Sequence, residues 1–160
     1  MKIGFIGLGN MATAIIGGLL REDTALSSED GNATVITAAN IIGSAKTEAT
    51  RQKRAEQFGI AVTASNREVA EAADVLVLAV KPQFFPEVIA EIRDAVSENT
   101  LVISIAAGLT LERIAGLFDR NVTAMRLIRC MPNTPALVNA GCTAVVPGPG
   151  ATEADEALCL

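Results

Sequence analysis

Six residues, Gly7-Leu8-Gly9-Asn10-Met11-Ala12, constrain this chain more than any other stretch. A short apolar run, Lys2–Ile6, precedes them. An apolar helical pattern follows, with Met11, Ala14, Ile15, Gly18 and Leu19 on one face. Strand, glycine turn and helix in that order fit G-x-G-x-x-A. In such a pattern Gly7 permits the tight turn, and Gly9, lacking a Cβ, lets the backbone approach a pyrophosphate. Ala12 is small enough for the helix to pack on the strand. The backbone N–H groups and the helix dipole then face the phosphates. The bland alternative is an ordinary tight turn, but the strand before and the helix after favour a dinucleotide site.

The rest of the chain alternates in the same way. Polar residues from Arg21 to Asn32 read as a loop. A second strand falls on Thr34–Thr37 or Ile41–Ala45; the latter is preferred, because Thr47 can then cap a charged helix, Glu48 to Phe58, that Gly59 ends. Ile60–Thr63 reads as a strand and Asn66–Ala73 as a helix. Val75–Val80 is an apolar run suited to a strand covered on both faces. Phe85, Val88, Ile89, Ile92 and Val96 recur at helical spacing. Leu101–Ile105 is a further strand, Thr110 caps a helix carrying Leu111, Ile114, Ala115 and Phe118, and Val122–Cys130 and Cys142–Val146 complete the strands. This alternation predicts an α/β fold, a doubly wound parallel sheet of the Rossmann type. With 50% hydrophobic residues but only 3% aromatic ones, the core is aliphatic, as a buried parallel sheet requires.

Pro147-Gly148-Pro149-Gly150 reads as a linker, and Thr152 with Glu153, Asp155 and Glu156 as the start of a helix. The expected organisation is therefore a dinucleotide-binding domain over residues 1–150, with residues 151–160 opening a C-terminal helical domain that is otherwise missing.

Charge and cysteine content narrow the partners. A net charge of −5 argues against nucleic acid, whose affinity depends on clustered Lys and Arg. Cys130, Cys142 and Cys159 lack metal-ligand spacing and read as thiols of a reduced compartment. The stretch Ile3–Leu20 loosely resembles a signal segment, but its five glycines, Asn10 and Thr13 break the apolar centre that one needs. A cytoplasmic protein without a membrane span is expected.

The expected second strand ends in Gly43-Ser44-Ala45-Lys46-Thr47, with no acid before Glu48. NAD sites usually place Asp or Glu there, for the ribose 2′-OH. A hydroxyl at Ser44 and a cation at Lys46 suit a 2′-phosphate instead and point to NADP. Arg51 and Lys53 read as a solvated helix face that could assist. Ligands in such sheets lie at the carboxyl ends of strands. Ala79-Val80-Lys81-Pro82 and Ala106-Ala107-Gly108 fall there, and Met131-Pro132-Asn133 begins a rigid loop on the nicotinamide side. Lys81 reads as a surface cation more readily than as a proton donor, so no catalytic residue is assigned.

Composition also removes rivals. The chain has no His and no Tyr. Carbonyl reduction makes an alkoxide that needs a proton donor. An iminium already carries its proton, so hydride transfer leaves a neutral amine and a strong acid is less necessary.

Read together, GFIGLGNMATAIIGGLL, ADVLVLAVKPQ, LVISIAAGL and RCMPNTPALVNAG resemble the N-terminal half of the pyrroline-5-carboxylate reductases, in the family's order from Gly4 to Gly141. The resemblance implies NADPH-dependent reduction of the cyclic imine 1-pyrroline-5-carboxylate to L-proline. It places Gly7, Gly9, Asn10, Met11 and Ala12 at the pyrophosphate, Ser44 and Lys46 near the 2′-phosphate, and Asn66 near the adenosine ribose. Ala79, Val80, Lys81 and Pro82 would line the groove. Ala106, Ala107 and Gly108, with Met131, Pro132 and Asn133, would lie toward the nicotinamide. It further implies a C-terminal helical domain that makes the homo-oligomer and supplies a hydroxyl-bearing loop for the substrate carboxylate. The segment between the first helix and Ile41 is longer than the family's pattern. Two alternatives stay open: a cofactor domain of the 3-hydroxyacid or 6-phosphogluconate dehydrogenase type, against which VKPQ and MPNTP argue, and an NAD(P)-binding module without turnover.

Overall fold

The computed structural model describes the chain apart from residues 22–24, 28–32, 134 and 137–139. The first strand, β1 (Ile3–Ile6), is buried along its whole length and leads through the glycine turn into α1 (Asn10–Leu19). β2 (Ala25–Ser27), inside the segment expected as loop, pairs antiparallel with β3 (Ala33–Val35), which overlaps the alternative strand position Thr34–Thr37. Asp30, Gly31 and Asn32 of the expected loop lie outside the described residues. The second strand of the main sheet is β4 (Ile41–Ser44), the preferred register. Thr47 caps α2 (Glu48–Phe58) by accepting from the Thr50 N–H at 3.3 Å, and Gly59, at φ 68°, ends it in the left-handed region.

There follow β5 (Ala61–Thr63), α3 (Asn66–Ala72), β6 (Val75–Leu78), α4 (Phe85–Ile92), β7 (Leu101–Ser104) and α5 (Leu111–Leu117). Then come β8 (Leu127–Pro132), β9 (Thr143–Pro147) and α6 (Glu153–Cys159). The seven-stranded sheet has the order β5-β4-β1-β6-β7-β8-β9. From β1 the chain winds outward through β4 to β5, then returns to the other side of β1 and winds through β6, β7 and β8. The reversal places a topological switch point between β1 and β6, where open α/β sheets hold ligands. Val69, Phe85, Ile89, Ile92 and Ile114 cover one face of the sheet, over Ile6, Leu76, Leu78, Val102 and Leu127. Ala12, Ile16 and Ile36 cover the other, over Phe5, Val75, Val77, Leu101 and Ile128.

Three expectations are corrected. Residues 122–124 form a 3-10 turn rather than strand, because Asn121 Oδ1 accepts from the Thr123 N–H at 2.9 Å and its hydroxyl at 2.8 Å. The sheet is not wholly parallel: β9 runs antiparallel to β8. The connection between them is too short for the dozen or more residues of a parallel crossover, and Asn133 closes it through Cys142, whose N–H donates to Asn133 Oδ1 at 2.9 Å. Finally, the stretch expected as a linker is packed rather than loose: Pro147 ends β9, and a Cβ on Gly150 would lie 2.5 Å from the Met125 carbonyl oxygen.

Candidate functional site

The glycine turn is sewn to the strand ends on both sides. The Gly7 N–H donates to the Ser44 carbonyl at 3.0 Å, and the Ala79 N–H donates to the Ile6 carbonyl at 2.9 Å. Gly7 sits at φ 95°, and a Cβ there would lie 2.9 Å from the Ala79 oxygen, so both conformation and space demand glycine. Gly9 is different. Its φ of −76° suits any residue, and a Cβ on it would meet nothing within 4 Å. The space above Gly9 is open, which is what a bound diphosphate needs. Gly9 caps α1 without a side-chain hydrogen bond, and the first turn holds no acid. Gly9 and Asn10 are exposed, Met11 half-buried and Ala12 buried at 1% exposure. The helix therefore presents its positive end to anions.

Beside this turn, at the switch point, lies a groove of about 250 Å³. Gly7, Ser44, Lys46, Asn66, Ala79, Val80 and Lys81 all line it, together with Ala45, Phe84 and Val88. Seven predicted residues from four separate segments thus meet in one place. Ser44 closes its floor: it is 1% exposed and donates to Asn66 Oδ1 at 2.7 Å, while Asn66 Nδ2 donates to Glu91 Oε2 at 2.7 Å. Lys46 stands at the rim with its Nζ 5.2 Å from the centre of the Phe84 ring and 3.4 Å from Glu87 Oε1. Both partners of that ion pair are well exposed, so it is weak and easily exchanged for a stronger anion. Arg51 donates to the Ala45 carbonyl at 2.7 Å and the Lys46 carbonyl at 3.0 Å, which holds the end of β4 in place.

The remaining predicted residues stand nearby but do not line the groove. Pro82 opens a 3-10 turn, Pro82–Phe84, that carries the chain away from β6. Ala106 is buried after β7, with Ala107 and Gly108 exposed beside it. Met131 and Pro132 end β8, and Asn133 bonds Cys142. Pro132 lines a second, apolar cavity of about 230 Å³ on the α1 face, with Phe5, Ile15, Val77, Cys130 and Cys159.

Sequence reasoning missed Phe84 and Glu87. Phe84 was detectable: Phe85 lies on the apolar stripe of α4, which leaves its neighbour off the stripe, 39% exposed and at the groove. Glu87 gives no sequence signal beyond an acid in a first helical turn.

Known proteins agree with this geometry. The family described as NADP oxidoreductase, coenzyme F420-dependent, matches residues 2–108. The pyrroline-5-carboxylate reductase of Escherichia coli K12 is 42% identical over 159 residues, which are 99% of this chain and 54% of that protein. The chain thus spans about half the length of the curated relatives it matches. A pyrroline-5-carboxylate reductase structure from Coxiella burnetii superposes with a TM-score of 0.86 at 33% identity, covering 99% of this chain and 53% of that one. The Plasmodium falciparum pyrroline carboxylate reductase, solved with NADP bound, gives 0.72 at 25% identity, covering 98% of this chain and 51% of that one. No helix among the described residues is long and apolar enough to cross a membrane. The chain belongs to the NADP oxidoreductase, coenzyme F420-dependent, family, and its likeness within that family is to the N-terminal NAD(P)-binding domain of the pyrroline-5-carboxylate reductases.

Proposed function

We propose that this chain binds NADPH across the carboxyl ends of its strands and forms the cofactor half of an enzyme that reduces 1-pyrroline-5-carboxylate to L-proline. The observation that carries the reading is the open glycine turn, with no side-chain cap, running into a groove where Lys46, two residues past the end of β4, stands in place of an acid. Gly7, Gly9, Asn10, Met11 and Ala12 would hold the pyrophosphate, the backbone N–H groups of the first helical turn donating to it. Lys46 would release Glu87 and pair with the 2′-phosphate, while Phe84 offers the adenine an aromatic face. Ser44 would act indirectly, by fixing Asn66 toward the ribose. Ala79, Val80, Lys81 and Pro82 would wall the groove, and Ala106, Ala107, Gly108, Met131, Pro132 and Asn133 would bound its nicotinamide end. Bound NADPH supplies the hydride.

Within this reading, residues 1–150 are the dinucleotide-binding domain and residues 151–160 begin a C-terminal helical domain that completes the substrate site and the homo-oligomer, in a cytoplasmic setting. Relatives at 42% and 33% identity whose names specify this reaction support the choice of substrate. Calorimetric titration with NADPH and NADH is the test. Tighter NADPH binding that Lys46→Glu abolishes is expected; equal affinity for the two would remove the 2′-phosphate assignment.

A further inference from the structure

Five arginines of this chain are half-buried: Arg51, Arg54, Arg120, Arg126 and Arg129. The first four are all tied down. Arg51, Arg54 and Arg120 donate to backbone carbonyls, and Arg126 grips Asp155. Among the described residues the Arg129 side chain makes no hydrogen bond or ion pair, and its Nε is fully enclosed without an acceptor. Enclosing a guanidinium N–H without a partner is costly, and such groups in native proteins call for a specific explanation.

Its position supplies one. Strand registers pair Ser44 with Ile6, Ile6 with Leu78, Leu78 with Ser104, and Ser104 with Arg129. The five residues form one row across the carboxyl end of the sheet, and neighbours in register share a face. Ser44 underlies the groove at one end of the row and Arg129 stands at the other, four strand spacings or about 19 Å away. Arg129 also falls between the two segments that bound the nicotinamide end, being joined in register to Ser104, two residues before Ala106, and two residues before Met131 itself.

We infer that Arg129 is the counter-charge for a carboxylate on the substrate, bound at the far end of the row from the adenosine. The inference rests on the cofactor reading above and names a residue that reading leaves idle. A hydroxyl-bearing loop can donate hydrogen bonds to a carboxylate but cannot neutralise it. A guanidinium does both, in a geometry matched to two oxygens.

The test follows the Arg129 Nε–Hε signal by NMR in this chain extended by the C-terminal domain proposed above and saturated with NADP⁺. Titration with L-proline is expected to shift that signal saturably. L-prolinamide, whose carboxylate is replaced by a neutral amide, leaves it in place. Arg129→Gln weakens proline binding by about tenfold or more, with NADP⁺ affinity within twofold of the parent, and Arg129→Lys falls between. Equal shifts from proline and prolinamide would overturn the inference. So would an unmoved Arg129 signal in a chain whose Gly9 and Asn10 amides respond to NADP⁺, and that result leaves the cofactor reading standing. Gly9 and Asn10 amides that ignore NADP⁺ would sink both.

Discussion

Ser44 donates its hydroxyl to Asn66 Oδ1 at 2.7 Å from a position that is 1% exposed. The hydroxyl that the sequence points at a 2′-phosphate is thus already committed, and only Lys46 of that pair stands free of the floor. The two residues should separate in experiment. Ser44→Ala leaves the Asn66 carbonyl without its donor and costs about 1–2 kcal/mol in stability. It should weaken NADPH and NADH binding alike, because the ribose side of the groove loosens. Lys46→Gln leaves stability unchanged and weakens NADPH alone, by about tenfold. Chemical denaturation and calorimetry on both variants check this.

The glycines of the turn should part in the same way. Gly7→Ala meets a left-handed φ of 95° and a carbonyl at 2.9 Å, so a loss of roughly 2–4 kcal/mol is expected. Gly9→Ala meets nothing within 4 Å, and its stability should stay within about 0.5 kcal/mol of the parent. The added methyl would nevertheless stand in the proposed diphosphate site. Gly9→Ala should therefore melt normally and fail to bind either dinucleotide. A variant that keeps full NADPH affinity would remove the glycine turn from the site.

Much of this was legible in the sequence, for identifiable reasons. Glycine at Gly7, continuous apolar runs at Val75 and Leu101, and the caps at Thr47 and Thr110 are local signals, and each marks the element it predicts. The groove was legible because a parallel sheet brings all its carboxyl ends to one edge, so residues far apart in sequence converge once the strands are placed. What escaped was decided by partners. Asn121 turns residues 122–124 out of the strand by bonding Thr123, and nothing in a run beginning Val-Thr-Ala announces that. The direction of β9 was within reach, since the loop before it is too short for a crossover. The commitment of Ser44 was not, because Asn66 lies on a separate helix.

The three thiols should react at different rates. Cys142 is exposed, Cys130 buried and Cys159 half-buried. A hydrogen bond from Cys159 draws the Cys130 thiol below its ordinary range, against the upward push of burial; the same contact, with burial, drives Cys159 far above it. The shared contact thus makes the enclosed thiol the more acidic of the two and the outer one the less acidic. Iodoacetamide at neutral pH should modify Cys142 first and leave Cys130 and Cys159 until the chain unfolds. Mass spectrometry of the peptides reads the order. Early labelling of Cys159 would mean that α6 is not docked.

That docking depends on Asp155, which joins α6 to the sheet. Its carboxylate is 2% exposed, accepts from Arg126 Nε at 3.0 Å and from a terminal guanidinium nitrogen, and accepts from the Thr152 N–H at 2.9 Å. Burial pushes its pKa up, but the hydrogen bonds from Arg126 and Thr152 together pull it down further, and the net value lies below the usual carboxylate range. A lowered folded-state pKa fixes the sign. The pair's contribution is in place above the unfolded value, about 3.9, and drains away as pH falls through the lower folded value. Because Arg126 is 38% exposed, solvent screens the pair, and Asp155→Asn should cost about 2–3 kcal/mol at pH 7, at or below the low end for a fully buried pair. Urea unfolding at neutral pH and near pH 3 should show the gap between parent and variant shrinking in acid, with Cys159 becoming open to labelling in the variant at neutral pH, where thiolate is available to react. An equal gap at the two pH values would mean that the carboxylate's charge plays no part in holding the helix.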